Sequence, residues 1–222
     1  MNLKSATPHT RRITTWVLLA ALTPALSGCF GAALVGTGAG VLMATDRRPA
    51  ETYVTDEAIE VRAGNRIKDR FGDRVHVSVT SYDRSVLLVG EVPDAATRSA
   101  VEKVVSTVPN VKSISNELMI AGATSLSGES NDAYITTKVK ARFVDANQFS
   151  ANHVKVVTEA GVVYLLGIVT QREADAAVNI ARTTAGVMKV VRVFEIIPEE
   201  RARQIDSSPA TNTTQKAAPA RP

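Results

Sequence analysis

The stretch Ser85-Val86-Leu87-Leu88-Val89-Gly90-Glu91-Val92 decides the fold, because it recurs later as Val162-Val163-Tyr164-Leu165-Leu166-Gly167-Ile168-Val169. Both stretches are short, apolar and rich in β-branched residues, which predicts a buried strand. A shorter strand pattern precedes each, Val77-Ser78-Val79 in one copy and Val154-Lys155-Val156 in the other. Each copy therefore predicts a β-hairpin.

Helical patterns surround each hairpin. Residues 56–71 match residues 132–147, with apolar side chains about one helical turn apart and an aspartate, Asp56 or Asp132, as the predicted N-cap. After each hairpin comes a second helix, residues 94–108 and 171–184, and then a final strand, residues 111–120 and 187–197. We predict an α+β fold of two tandem α-β-β-α-β domains, each a three-stranded mixed sheet covered by two helices.

Two glycines hold the same place in the two copies. Gly90 and Gly167 end the central strands, where we expect the next helix to pack back on the sheet. A side chain there would clash or require strained backbone angles, so both are predicted to be structural residues.

The N-terminus carries Leu26-Ser27-Gly28-Cys29, and Cys29 is the chain's one cysteine. With its basic leader and the uncharged residues 13–25, this stretch resembles a bacterial lipoprotein signal. We predict a signal peptide over residues 1–28 and acylation, as by palmitate, at Cys29. A free buried thiol after an ordinary signal peptide is the alternative. In such signals Phe30, rather than Asp, implies an outer-membrane location facing the periplasm.

The remaining segments follow from composition. Residues 30–45 are uncharged and glycine-rich but shorter than the roughly 20 residues of a membrane span, so residues 29–50 are predicted to be a flexible tether. Glycine-mediated helix pairing within the bilayer is an alternative. We place the domains at residues 51–121 and 131–198, a linker at 122–130, and a disordered tail rich in Ala, Thr, Ser and Pro at 199–222.

Charge and chemistry exclude several functions. Removing the leader's three basic residues from 26 leaves 23 against 22 acidic ones, which is no footprint for nucleic acid. After cleavage the histidines are His76 and His153, which fall in separate domains, and no Gly-x-Ser-x-Gly elbow is present. We therefore predict a protein that is not an enzyme, with no cofactor, no metal and no small-molecule substrate.

The ordered repeat resembles the BON domain, and two such domains behind a lipoprotein signal resemble the DolP (formerly YraP) family of outer-membrane lipoproteins. The most specific stretches are residues 130–139, 154–159 and 167–174. The resemblance implies that the first helix of the second domain binds an anionic phospholipid membrane. It also implies a role in envelope integrity, and association with the division site and the barrel-assembly machinery.

The helical pattern independently supports a membrane-facing surface. With Ile135, Val139 and Phe143 directed at the core, the outer surface carries an aromatic ring, small side chains and basic groups. The predicted phospholipid-binding residues are Tyr134, Thr137, Lys138, Ala141, Arg142 and Val144. Charge agrees, because residues 131–198 carry 8 basic and 6 acidic groups while residues 51–121 carry 9 and 11.

Two alternatives remain at this point. The family usually has Trp where this chain has Tyr134 and a larger Leu where it has Val144, so weaker lipid binding is expected. The face is alternatively a solvated one with an incidental tyrosine. In a second reading the chain resembles the soluble osmotic-stress BON proteins and is a periplasmic chaperone or scaffold, without direct lipid recognition.

Overall fold

The computed structural model describes residues 46–121 and 126–207, and these described residues all belong to one compact unit. The predicted signal peptide, Cys29 and most of the predicted tether lie outside the described residues. None of the described helices has the length and hydropathy that crossing a bilayer requires.

Both copies show the predicted element order. In the first copy the elements are α1 (Ala50–Phe71), β1 (His76–Tyr82), β2 (Ser85–Val92), α2 (Ala95–Ser106), β3 (Ser113–Asn116) and β4 (Met119–Ile120). In the second they are α3 (Leu126–Ala146), β5 (Lys155–Glu159), β6 (Val162–Val169), α4 (Gln171–Arg182) and β7 (Lys189–Ile196). A further helix, α5 (Glu199–Ser207), follows the second copy.

The sheets are mixed, as predicted. β1 and β2 are antiparallel, and β2 is parallel to β3 and β4. β5 and β6 are antiparallel, and β6 is parallel to β7. The one predicted final strand of the first copy is thus divided into two short strands; between them Leu118 is buried in the core, and its backbone N–H donates to the Asn116 side-chain oxygen at 3.3 Å. The α+β fold class of two domains is confirmed.

The predicted N-caps are wrong, since α1 and α3 each begin six residues before the aspartate, nearly two turns earlier, and place both aspartates inside the helix. Asp56 instead accepts hydrogen bonds from the backbone N–H groups of Asp83 and Arg84, at 2.9 and 2.7 Å. Asp132 accepts from Ala160 and Gly161 at 2.7 and 2.8 Å. Each buried carboxylate therefore binds the hairpin turn of its own domain.

Each domain has the predicted core between its helices and one face of its sheet. The opposite faces also bury apolar side chains, because the two sheets pack against each other. This interdomain core contains Tyr82, Leu87 and Val89 of the first domain and Tyr164, Leu166 and Ile168 of the second. β2 and β6 are thus buried on both faces, which accounts for their nearly continuous apolar sequence.

The chain on either side of the two domains is also part of this unit. The predicted disordered tail is wrong over Glu199–Ser207, because α5 buries Ala202 in the interdomain core. The predicted tether extends too far, because Arg47 is buried against α4 and α5. The predicted linker is also too long, since α3 begins at Leu126.

Gly90 and Gly167 lie within the central strands. A Cβ at Gly90 would collide with the carbonyl oxygen of His76, and one at Gly167 with that of His153. The obstacle is therefore the backbone that precedes or begins the neighbouring strand, and not the following helix. Gly90 also has a φ of +113°, a conformation that side-chain-bearing residues rarely adopt.

Candidate membrane-binding surface

Helix α3 divides into two faces. Ile135, Val139 and Phe143 are fully buried in the core of the second domain. On the other side Tyr134 is 62% exposed and Val144 is 65% exposed. Two large apolar side chains on one solvent-facing helix surface, about 15 Å apart along the axis, suit an interface that is partly apolar.

Lys138 lies beside Tyr134 on this surface. Its Nζ is 4.5 Å from the centre of the Tyr134 ring, within the range of a cation–π contact. The same ammonium donates a hydrogen bond to the carbonyl oxygen of Ala185, in the loop after α4. An ammonium has three donors, so Lys138 can contact an anionic group while it keeps both of these interactions.

Thr137 and Ala141 are exposed between the two apolar side chains. The Thr137 hydroxyl donates to the carbonyl oxygen of Ala133 at 3.0 Å. We use the name outer face of α3 for the surface formed by Tyr134, Thr137, Lys138, Ala141 and Val144.

Arg142 has a different environment from the one predicted. Its Nη1 lies 2.9 Å from the carbonyl oxygen of Ile180, 3.1 Å from the Thr183 hydroxyl and 2.8 Å from the Thr184 hydroxyl. This guanidinium therefore satisfies acceptors at the C-terminal end of α4, where a positive charge is also favoured by the helix dipole. The structure gives Arg142 a role in joining α3 to α4.

The sequence analysis missed Met188, whose side chain is 81% exposed in the loop between α4 and β7. This loop borders the outer face of α3, because a Cβ at Gly186 would lie 3.6 Å from the Nζ of Lys138. Met188 itself lies against Gly161 of the hairpin, and its backbone N–H donates to the Gly161 carbonyl oxygen at 2.9 Å. The available signal in the sequence was an apolar residue two positions after Gly186.

The first domain lacks this combination at the equivalent positions. Ala58 stands in place of Tyr134, and the charged, exposed Lys68 stands in place of Val144. Arg66, the counterpart of Arg142, makes the same kind of contact, donating to Thr107 at 2.7 Å. The arginine at this position thus fits a shared structural role, whereas the aromatic ring belongs to the second domain.

The two histidines of the described residues lie in different environments. His76 is exposed at the start of β1. His153 is buried just before β5, with its Nδ1 3.7 Å from an oxygen of Glu173 and its Nε2 3.9 Å from one of Asp206.

Comparison with known families agrees with this architecture. The BON domain model matches residues 55–122 and again residues 131–198. The chain is therefore a protein of two tandem BON domains, and in each domain a helix and a hairpin are followed by a helix and a parallel strand.

Similarity to individual named proteins identifies the family within this class. Outer membrane lipoprotein DolP of Haemophilus influenzae is 35% identical over 182 residues, which is 81% of this chain and 94% of the relative. The 21 kDa hemolysin of Actinobacillus pleuropneumoniae is 33% identical, over 68% of this chain and 79% of the relative. Osmotically-inducible protein Y of Escherichia coli is 31% identical, over 62% and 71%. The chain belongs to the DolP family of dual BON-domain lipoproteins.

Proposed function

We propose that this protein is anchored through acylated Cys29 to the outer membrane, faces the periplasm and binds anionic phospholipid through the outer face of α3. The observation that carries the proposal is the exposed Tyr134 ring stacked with the Lys138 ammonium. The role is one of binding, in support of envelope integrity and outer-membrane protein assembly. Association with the division site and the barrel-assembly machinery is part of the same proposal.

The chemistry of this pair suits the boundary between headgroups and acyl chains. A tyrosine ring is apolar over most of its surface and polar at its hydroxyl, so it is stable where one end is wet and the other is not. The adjacent Lys138 ammonium attracts a negatively charged phosphate, and its aliphatic stem covers apolar surface. Val144, about three turns along the helix, adds apolar area for burial.

The predicted tether is long enough for α3 to reach the membrane in which Cys29 is anchored. Sixteen residues, 30–45, separate Cys29 from Asp46, where the described chain begins. A chain of that length spans up to about 60 Å when extended, several times the length of the outer face of α3. Attachment at Cys29 and contact by α3 can therefore occur on the same membrane at once.

The direct test is partitioning of residues 44–222, without the acyl group, onto vesicles with and without anionic phospholipid. This compact unit retains the buried Arg47 and both domains. We expect Tyr134→Glu to abolish most of the binding and Tyr134→Trp to increase it. Lys138→Glu should weaken binding by about 1 kcal/mol for each unit of charge changed, roughly fivefold per unit, and the loss should shrink at high salt.

Arg62 supplies the matched control, because it occupies the position of Lys138 on the exposed surface of α1. Arg62→Glu makes the same charge change on the same protein and should leave binding nearly intact. Thermal unfolding of each variant separates loss of binding from loss of fold. Equal binding by Tyr134→Glu and wild type, or indifference to anionic lipid, would contradict the proposal and favour a protein scaffold.

A further inference from the structure

Met188 is the most exposed of the large apolar side chains among the described residues. It lies at the end of the loop after α4, immediately before Lys189, which begins β7 and is also exposed. Single exposed apolar residues are common on proteins, so the position of Met188 matters more than its exposure. That position is defined by the contacts at the two ends of the loop.

The loop begins against the outer face of α3. The Lys138 ammonium donates to the carbonyl oxygen of Ala185 and lies 4.5 Å from the centre of the Tyr134 ring. The next residue, Gly186, comes so close to α3 that a Cβ on it would lie 3.2 Å from Cγ1 of Ile135. The start of the loop is therefore continuous with the surface that carries Tyr134.

The end of the loop is held next to the same helix. The backbone N–H of Met188 donates to the carbonyl oxygen of Gly161, in the hairpin turn, at 2.9 Å. The N–H of Gly161 in turn donates to Asp132 of α3, two residues before Tyr134, at 2.8 Å. A Cβ at Gly161 would lie 2.8 Å from the Met188 Sδ, so the glycine leaves room for the thioether. Met188 and Tyr134 thus belong to one continuous surface.

The first domain makes the same backbone contact with a different side chain. Lys112 is the counterpart of Met188, and its N–H donates to the carbonyl oxygen of Arg84, in the first hairpin turn, at 2.8 Å. Its Nζ lies 3.0 Å from a carboxylate oxygen of Glu195. The backbone contact therefore forms without a methionine. The methionine stands in the domain that also carries the exposed Tyr134.

We propose that Met188 inserts into the anionic bilayer that the outer face of α3 contacts, so that the loop after α4 is a second membrane-binding element. This inference rests on the proposed function. A thioether side chain gains free energy on leaving water, and its flexible, unbranched chain adapts to irregular surroundings. Lys189 places a further ammonium next to the inserted side chain, where it attracts lipid phosphate. Contacts from a helix and a loop together restrict how the second domain is oriented on the membrane.

The first test places a fluorescent reporter in the loop. Residues 44–222 contain both domains but not Trp16, the one tryptophan of the chain, so Met188→Trp supplies a single reporter. With anionic vesicles we expect its emission to shift to shorter wavelength and to be quenched by lipids brominated on their acyl chains. Val61→Trp is the matched control, because Val61 is 54% exposed on α1, and its emission should not respond.

The second test measures partitioning of the same acyl-free protein onto anionic vesicles. Met188→Gln keeps the length of the side chain but makes it polar, and should weaken partitioning by about tenfold, whereas Met188→Leu should bind as wild type does. Because the lost contribution is apolar, this ratio should be the same at low and high salt, unlike the effect of Lys138→Glu. Val61→Gln should leave partitioning unchanged, and circular dichroism verifies that each variant folds.

The outcomes distinguish this inference from the proposed function. Partitioning that Tyr134→Glu abolishes and Met188→Gln leaves unchanged would overturn the inference and retain the proposed function. A loss with Met188→Gln but not with Tyr134→Glu would support the loop and contradict binding through the outer face of α3. A reporter at position 188 whose emission shifts with protein concentration in the absence of vesicles would show burial against a second copy and overturn insertion.

Discussion

At the scale of single residues, the two strand glycines illustrate a constraint imposed by the neighbouring backbone. Gly90 and Gly167 occur where the preceding chain passes so close that a Cβ would meet a carbonyl oxygen. Gly64 lies within α1, where a Cβ would meet nothing within 4 Å. The same residue type is thus required at two positions and replaceable at a third.

Substitution of these glycines should separate the two situations. We expect Gly90→Val and Gly167→Val to lower the free energy of unfolding by about 1 to 3 kcal/mol, since backbone atoms must move to admit the side chain. Gly64→Ala should instead raise it by about 0.5 to 1 kcal/mol, because alanine is the better helix former. Urea unfolding of the three variants measures both effects, and unchanged stability of the two valine variants would show that the glycines are merely tolerated.

At the scale of elements, α5 shows how tertiary contacts order a segment with weak sequence signals. Its nine residues are too few for a stable helix in isolation. Ala202 is buried in the interdomain core, and Ile205 packs against the same cluster. Asp206 accepts from Arg47 at 2.8 Å, which joins the helix to the segment that precedes α1.

Ala202→Glu is expected to detach α5, because it places a charged side chain where apolar atoms are packed. The loss of unfolding free energy should be about 2 kcal/mol or more, within the range for burying an unpaired charge. Arg203 is the neighbouring control, since its side chain is exposed, and Arg203→Ala should change stability by less than about 0.5 kcal/mol. Hydrogen exchange of α5 amides provides the second readout: protection retained in Ala202→Glu would contradict this role.

At the scale of the whole molecule, Arg47 lies in the segment before α1 and connects that segment to the second domain and to α5. Its side chain is buried and contacts both oxygens of Glu173 and both of Asp206. Glu173 also completes the capping box of α4, accepting from the backbone N–H of Thr170 at 2.8 Å. One arginine therefore supports a helix start and the attachment of the last helix together.

This network predicts acid sensitivity. Burial alone would raise the pKa of Glu173, but its interactions with His153 and Arg47 outweigh burial and hold that pKa well below its ordinary value. The hydrogen bond from Arg47 likewise lowers the pKa of Asp206. A depressed carboxylate pKa stabilises the fold fully above the unfolded-state value of about 4, and this stabilisation is lost as the pH falls below it.

We expect urea midpoints to fall between pH 6 and pH 3, and to fall less steeply in Glu173→Gln, which has no carboxylate to protonate at that position. Glu195→Gln removes an exposed carboxylate and should retain the wild-type slope. Parallel pH profiles for wild type and Glu173→Gln would show that this network does not govern the acid response.

The sequence by itself determined the repeat, the element order and the helix face that carries Tyr134. These follow from local periodicity, because alternating or helical burial of neighbouring residues leaves its pattern in the chain. The lipoprotein signal ending at Cys29 is equally local, and it remains a prediction. The exposure of Tyr134 and Val144 agrees with the predicted helix face.

Only the tertiary structure decided which residues meet across the two domains. Arg47 contacts Glu173 across 126 positions of sequence, and the burial of α5 depends on the same packing. His76 and Glu159 meet because two sheets that each leave one apolar face uncovered bury those faces against each other. That association is non-local, so spacing along one chain could not reveal the contacts between the two domains.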